Sequence, residues 1–344
     1  MTGAGHIKRV DPEAAIEGGE VSFECEGFDT SNLRACRAYF GGREARIVGA
    51  SPRRVLAAVP ETEDAGGELD AALESGDYRL TAPSRLKVGR RLAEDLHLVA
   101  NPAFDPEDGS LYVTRSGTRG QRVPVSLFRI EPGGELMNLH GEITNPTGLA
   151  FDPSGRLYVT SRADGTVYRV SQFDQVVPFA RDLGVATGLA FDREGRMYVG
   201  DRTGTIHRVN AVGESEEWAH LEPSVAAYHL AFGPDDALYV TGATVSSHEA
   251  VTRIDERGRK EVFFRGLGRP HGLAFDHEGN LYVAASLAGR RGIIRINRAG
   301  DDARLFVAGA NIVGLAFGAS GDVAVATSEA VYSLPLGIRG TLVG

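Results

Sequence analysis

Cysteine is nearly missing: the chain of 344 residues has two, Cys25 and Cys36. Two thiols build no disulfide framework, and their spacing leaves two readings open, a bridge between two strands of one small domain or a pair of buried thiols. No run of about 18 apolar residues occurs, so membrane insertion through a helix is not expected. The first nine residues, Met-Thr-Gly-Ala-Gly-His-Ile-Lys-Arg, have no apolar stretch of the secretory kind. The chain therefore reads as cytoplasmic, or as exported with a signal absent from it. Positive charge is in deficit, with 37 Lys and Arg against 46 Asp and Glu and a net charge of -9. A nucleic-acid-binding face needs the opposite balance, so nucleic acid is not an expected partner. Helical periodicity is missing too, which excludes helical solenoids. Nor does the sequence hold a glycine-rich phosphate cradle between strand and helix, a cysteine pair at zinc spacing or a nucleophile elbow.

What the chain does have is a repeat. Asn145-Pro-Thr-Gly-Leu-Ala-Phe-Asp152 is followed by Gly-Arg-Leu-Tyr-Val159. The pattern returns at Val185–Asp192, Ala227–Gly233 and Arg269–Asp276, each followed by a Tyr-Val pair. Degenerate copies begin near Ala100 and Asn311. Aligning Asn101, Gly148, Gly188, His229, Gly272 and Gly314 gives successive spacings of 47, 40, 41, 43 and 42. A period near forty marks a repeated supersecondary unit. Within the second copy, Gly148-Leu-Ala-Phe is a short apolar strand and Asp152-Pro-Ser-Gly155 a tight turn. Leu157-Tyr-Val-Thr160, Thr166-Val-Tyr-Arg-Val170 and Gln175-Val-Val-Pro-Phe-Ala180 supply three more strands, with Pro178 marking the last as an outer edge. Four antiparallel strands per repeat predict a propeller blade, with the innermost strand carrying small residues where blades converge. The expected fold is all-β, a six-bladed β-propeller over residues 90–344.

Residues 6–89 do not carry the repeat. Val21-Ser-Phe-Glu-Cys-Glu-Gly-Phe28, Ala35-Cys-Arg-Ala-Tyr-Phe-Gly-Gly42 and Arg54-Val-Leu-Ala-Ala-Val-Pro60 are short strands with glycine turns, which predict a small immunoglobulin-like β-sandwich. The early Pro12 and Gly18-Gly19 turn, Gly27-Phe28, Phe40-Gly41-Gly42 and Val59-Pro60 resemble the TIG (transcription-factor immunoglobulin-like) family. That resemblance implies a binding or spacer module without catalysis. At the junction, Leu92-Ala-Glu-Asp-Leu96 matches Phe179-Ala-Arg-Asp-Leu183, the end of a fourth strand. The segment near 87–93 is therefore expected to complete the last repeat by pairing near 330–334, with the tail Arg339-Gly-Thr-Leu-Val-Gly344 as the competing candidate. Closure would remove the exposed edges of an open array.

Asn-Pro-Thr-Gly-Leu-Ala-Phe-Asp with Gly-Arg-Leu-Tyr-Val-Thr resembles the NHL propellers and, more widely, the regucalcin and gluconolactonase superfamily, over about residues 98–336. The resemblance implies the fold and leaves function open, because the superfamily includes lactonases, lyases, phosphotriesterases and binding proteins. Loops leading into the first strands and out of the second strands share one face, the default pocket. Before each repeat's glycine stand Ala100, Thr147, Thr187, Tyr228, His271 and Val313, and the second strands end at Arg115, Arg162, Asp201, Arg202 and Ser286. The metal-dependent lactonases of the superfamily place Glu, Asn and Asp around this face to hold a hard divalent cation. Here the positions before the glycine carry no carboxylate and no Asn. The lyases use histidines with a nearby glutamate and a metal, and His229 and His271 lie in adjacent repeats. Asp152, Asp192 and Asp276 read as turn chemistry on the opposite face. Asn138-Leu139-His140 and Ser247-His248-Glu249 read as loop residues without partners at useful spacing.

The expectation is a non-catalytic binding protein with no cofactor, presenting the propeller face to a small polar or anionic ligand or to a protein partner. The candidate ligand-binding residues are Thr147, Thr187, Arg202, Tyr228, His229, Arg269 and His271. The alternative is a gluconolactonase-like hydrolase or lyase with a histidine-based site, assisted by a divalent metal.

Overall fold

Each repeat begins with an apolar strand that has almost no room for side chains near its start. The computed structural model describes residues 5–61, 66–118, 120–171, 175–244 and 249–341. In the second repeat Pro146–Phe151, Leu157–Ser161, Thr166–Val170 and Val176–Ala180 form one antiparallel sheet in chain order. The first repeat (from Ala103–Phe104 to Leu136–Leu139), the third (Ala186–Phe191 to Ser215–His220) and the fourth (His229–Phe232 to Lys260–Arg265) build sheets of the same order. A fifth four-stranded sheet joins Ile312–Phe317, Asp322–Thr327, Val331–Pro335 and, from the other end of the chain, Arg90–Ala93. The strands Leu273–Phe275, Leu281–Leu287, Arg290–Ile296 and Ala303–Ala308 belong to a larger, eight-stranded sheet. The result is an all-β, propeller-like array. Among the described residues the helical content is one short 3-10 turn, Leu33–Ala35, and no helix is long and apolar enough to cross a membrane.

The first strands of the repeats touch one another in order, and that of the last repeat touches that of the first. Together they line one central channel of about 240 Å³. Their small residues are required by close approach. A Cβ on Gly148 would stand 2.6 Å from the Thr187 carbonyl oxygen, and one on Gly188 would stand 2.5 Å from that of Tyr228. Further out, aromatic rings wedge the seams. Tyr112 meets Phe151, Tyr158 meets Phe191, Tyr198 meets Phe232, Tyr239 meets Phe275 and Tyr282 meets Phe317, at centroid distances of 5.4, 5.3, 5.0, 4.7 and 5.1 Å. Tilted or edge-on aromatic pairs add about 1 kcal/mol each beyond the area they bury.

The last sheet is closed by the segment that the match of Leu92–Leu96 to Phe179–Leu183 singles out. Arg90, Arg91 and Ala93 pair with Ser333, Tyr332 and Val331. Lys87 does not join them: Leu86–Val88 lies beside Ala14–Ala15, which runs parallel to Ala303–Ala308 and so extends the eight-stranded sheet outward. The tail takes another course. Thr341 N–H donates to the Phe275 carbonyl and His277 N–H to that of Arg339, and Gly340 and Thr341 line the channel at its phenylalanine end.

The preceding residues form a seven-stranded sheet from His6–Asp11 to Tyr78–Thr81. Phe23 and Phe40 meet in its core at 5.5 Å. Cys25 and Cys36 are separate buried thiols, and burial pushes the Cys25 thiol up to about 11.

Candidate functional site

Three repeats enter their first strand through a residue in the left-handed conformation: Asn145 (φ 47°), Arg269 (φ 46°) and Asn311 (φ 55°). Asparagine tolerates this backbone. An arginine there costs about 1 kcal/mol, so its side chain calls for another explanation. Asn145 uses its amide locally, donating to the carbonyls of Gly117 and Thr118 and accepting from Gly120 N–H. Arg269 has its N–H held by the Glu249 carboxylate, while its guanidinium makes no ion pair among the described residues. In the fifth repeat the entering strand is also broken. Leu267–Gly268 and Leu273–Phe275 both pair with Leu281–Leu287, and residues 269–272 bulge between them. Such a bulge re-aims side chains.

The bulge places Arg269 and His271 on the wall of a cleft of about 350 Å³, with Ser286, Arg291, Asn311 and Ser328 on the other walls. Among the described residues no acidic side chain lines it. Arg291 has no ion pair among the described residues either. Behind His271 lies His229, edge-on at a centroid distance of 5.8 Å and lining the central channel. His229 is 3% exposed, and its Nε2 has no hydrogen-bond partner among the described residues. Burial, with a smaller contribution from His271, lowers its pKa to about 3. Burial and the charge of Arg269 lower His271 as well, against an opposing pull from Glu249. Both imidazoles are therefore neutral near pH 7.

The other candidates are engaged in holding the fold. The Thr147 hydroxyl donates to the Asn145 carbonyl at 3.4 Å. That of Thr187 donates to Gly200 at 2.9 Å and accepts from Tyr228 N–H at 3.1 Å. Tyr228 turns its hydroxyl onto the Glu222 carbonyl, away from the histidine pair. Arg202 donates to the Val225 carbonyl at 2.9 Å, and Arg162 to that of Gly117 at 3.1 Å. The structure thus brings together Arg269, His271 and, behind them, His229. Sequence reasoning missed Arg291, Asn311 and Ser328. Arg291 pairs directly with Ser286 across a hairpin, and Asn311 occupies the repeat position of Asn145, so both could have been reached by carrying the alignment through. Glu249, read as a loop residue, anchors Arg269, while Ser247 and His248 lie outside the described residues.

The arrangement does not fit a hard divalent cation. Among the described residues no group of three or more His, Cys, Asp or Glu side chains stands together. The acidic series on the other face serves its turns: Asp152 accepts from Ser154 and Arg156 N–H, Asp192 from Glu194 and Arg196 N–H, and Asp276 from Glu278 and Asn280 N–H.

No protein-family model matches the chain, and no curated protein sequence matches it. Solved structures do. An auxiliary nutrient binding protein from Bacteroides thetaiotaomicron is 12% identical with a TM-score of 0.55, the match covering 96% of this chain and 97% of the other. A gluconolactonase from Xanthomonas campestris is 18% identical with a TM-score of 0.60 over 72% and 89%. Virginiamycin B lyase from Staphylococcus aureus is 16% identical with a TM-score of 0.50 over 66% and 77%. At such identities the likeness is one of fold alone, an all-β, propeller-like array.

Proposed function

We propose that this protein binds a small anionic or polyhydroxylated ligand in the cleft between Arg269 and Arg291 and performs no chemistry on it. One observation carries the reading: two arginines without ion pairs among the described residues flank His271 in a cleft that no carboxylate lines. Guanidinium forks pair with carboxylate or phosphate, and Ser286, Ser328 and Asn311 offer partners for hydroxyls. The nutrient-binding neighbour has the same fold along almost the whole of both chains. In this reading residues 90–344 are a six-bladed propeller whose fifth blade is the part of the eight-stranded sheet from Leu273 to Ala308. Residues 6–89 are an immunoglobulin-like sandwich of the TIG kind. The six first strands in mutual contact support the count, and the separate seven-stranded sheet supports the division.

The second reading, a hydrolase or lyase, draws on the His229 and His271 contact and on the fold of the lactonase and lyase neighbours. One set of measurements separates the two. Thermal shift with gluconate, glucuronate, citrate and phosphate should stabilise the wild-type protein with at least one of them, and Arg291→Ala should lose that shift. The same preparation should not hydrolyse sugar lactones above background with added calcium, zinc or manganese. An anion that stabilises both proteins equally moves the site elsewhere, and metal-dependent turnover abolished by a chelator establishes the enzyme reading.

A further inference from the structure

The cleft at Arg269 and Arg291 lies where the array meets the sheet that precedes it. Among the described residues, Leu281–Leu287 and Arg290–Ile296 are seven residues each, whereas the second and third strands of the other repeats have four to six. The added rungs of this ladder are Ser286 with Arg291 and Leu287 with Arg290. They change the chain on either side. Gly268 and Leu267 pair with Ser286 and Leu287, so the entering strand starts early, breaks, and throws out the bulge that carries Arg269 and His271. On the other side the Arg291 carbonyl accepts from Gly309 N–H at 3.2 Å, just before Asn311. Arg269, His271, Ser286, Arg291 and Asn311 therefore all depend on one lengthened hairpin.

The tip of that hairpin is Ala288 and Gly289, with φ of 49° and 81°. Alanine is disfavoured in the left-handed region, so the turn's own sequence does not hold the tip. A contact from the early sheet does. The Arg290 guanidinium pairs with the Asp11 carboxylate and donates to the Asp11 carbonyl at 2.6 Å. Neighbours on a strand leave it on opposite faces, so holding Arg290 at Asp11 also sets the direction in which Arg291 meets the cleft. Ile16, in the same early segment, backs the opposite wall. Its N–H donates to the Ala308 carbonyl at 2.9 Å, and a Cβ on Gly309 would stand 2.7 Å from its Cγ1. Gly309 and Ile312 line the cleft, and Ile16 and Ile312 share one apolar cluster.

From this we infer that the early sheet sets the geometry of the cleft, with Asp11 and Ile16 as positioning residues that touch no ligand themselves. The inference rests on the reading of the cleft as an anion site and adds to it the part of the chain that holds its walls in place.

The test uses the full chain, with calorimetric titration of citrate and phosphate and with amide hydrogen exchange over residues 286–292 in the absence of anion. Asp11→Asn removes a negative charge, and Arg290→Gln removes a positive one. If charge alone mattered, anions would bind more tightly to the first variant and more weakly to the second. Positioning predicts that both bind about fivefold or more weakly, and that the double variant is no weaker than the worse single one. Exchange over residues 286–292 should be faster in each. Melting temperatures should stay within about 3 °C of wild type, because a partly exposed ion pair adds little to global stability. Asp70→Asn, which breaks the exposed pair with Arg85, should change neither affinity nor exchange. Should one of the two variants at the junction fail to fold, the other breaks the same contact from its own side, and its exchange decides. Unchanged exchange overturns the proposal whether or not an anion binds, and so does unchanged or tighter anion binding by Asp11→Asn. Failure of the wild-type protein to bind either anion overturns the anion reading of the cleft instead. Faster exchange in the variants then still supports positioning by the early sheet, and unchanged exchange overturns it.

Discussion

His229 stands where four of the six repeats have glycine, and it is the most perturbed titratable group on the loop face. A buried imidazole without a partner at Nε2 is costly, and protonating it costs more. Its ordinary pKa is about 6.5, that of the unfolded chain. In the folded protein burial lowers it to about 3. Between those values the unfolded chain takes up the proton and the folded chain does not. Stability attached to this group is therefore complete above pH 6.5 and is lost as the pH falls from 6.5 towards 3. One such group sets a limit of about 2 kcal/mol lost by pH 5. His229→Gln keeps a polar side chain that does not titrate. Its melting temperature should fall less between pH 7 and pH 5 than that of the wild-type protein, with His271 and His207, both also lowered by burial, contributing to what remains. Equal losses would show that His229 protonation does not limit acid stability. The place of His229 was legible from the repeat spacing alone. The roles of Thr147, Thr187 and Tyr228 were not, because a hydroxyl beside an axial glycine looks the same in sequence whether it faces solvent or a neighbouring repeat's backbone. Asn101 shows the same limit: its amide donates to Leu273 and accepts from Leu315 N–H, stapling three repeats together across the channel.

At the scale of the strand, the repeat works because a glycine near the axis and an aromatic pair further out set the spacing of neighbours at two radii. Gly188→Ala places a methyl 2.5 Å from the Tyr228 carbonyl oxygen, a backbone atom that cannot rotate away. The expected cost is about 2 kcal/mol, read as a lower denaturant midpoint with an unchanged slope. Gly49→Ala is the control, since its Cβ meets nothing within 4 Å, and it should stay within about 0.5 kcal/mol of wild type. Equal effects would remove close approach as the reason for glycine at this position. The four-stranded unit was readable because its signals are local: alternation, an Asp-to-Gly turn, a proline on the outermost strand. The eight-stranded sheet was not, because Ala14–Ala15 and Leu86–Val88 are two- and three-residue strands with no pattern of their own. Only tertiary pairing makes them strands, Ala14–Ala15 on Ala303–Ala308 and Leu86–Val88 in turn on Ala14–Ala15.

For the whole molecule the decisive fact is that the chain's early segment serves two sheets of the array at once. Ala14–Ala15 covers the outer edge of Ala303–Ala308, and Arg90–Ala93 covers that of Val331–Pro335. Arg290 adds an ion pair and a backbone contact to Asp11 at the same junction. The two coverings are not equivalent. Arg90–Ala93 also brings Ala93 into the apolar cluster it shares with Val331, Leu96 and Leu98, and it closes the contact between the last repeat and the first. An uncovered strand there would expose a row of unpaired N–H and C=O groups beside an open apolar seam, a template for aggregation. A chain of residues 86–344 should consequently remain soluble and melt cooperatively at a lower temperature, whereas one of residues 96–344 should aggregate or melt without a cooperative transition. Expression of the two side by side, followed by size-exclusion chromatography and a thermal melt, checks this. Were residues 96–344 to give a soluble protein melting with residues 86–344, closure by Arg90–Ala93 would be dispensable, and the array would be held by its first strands alone.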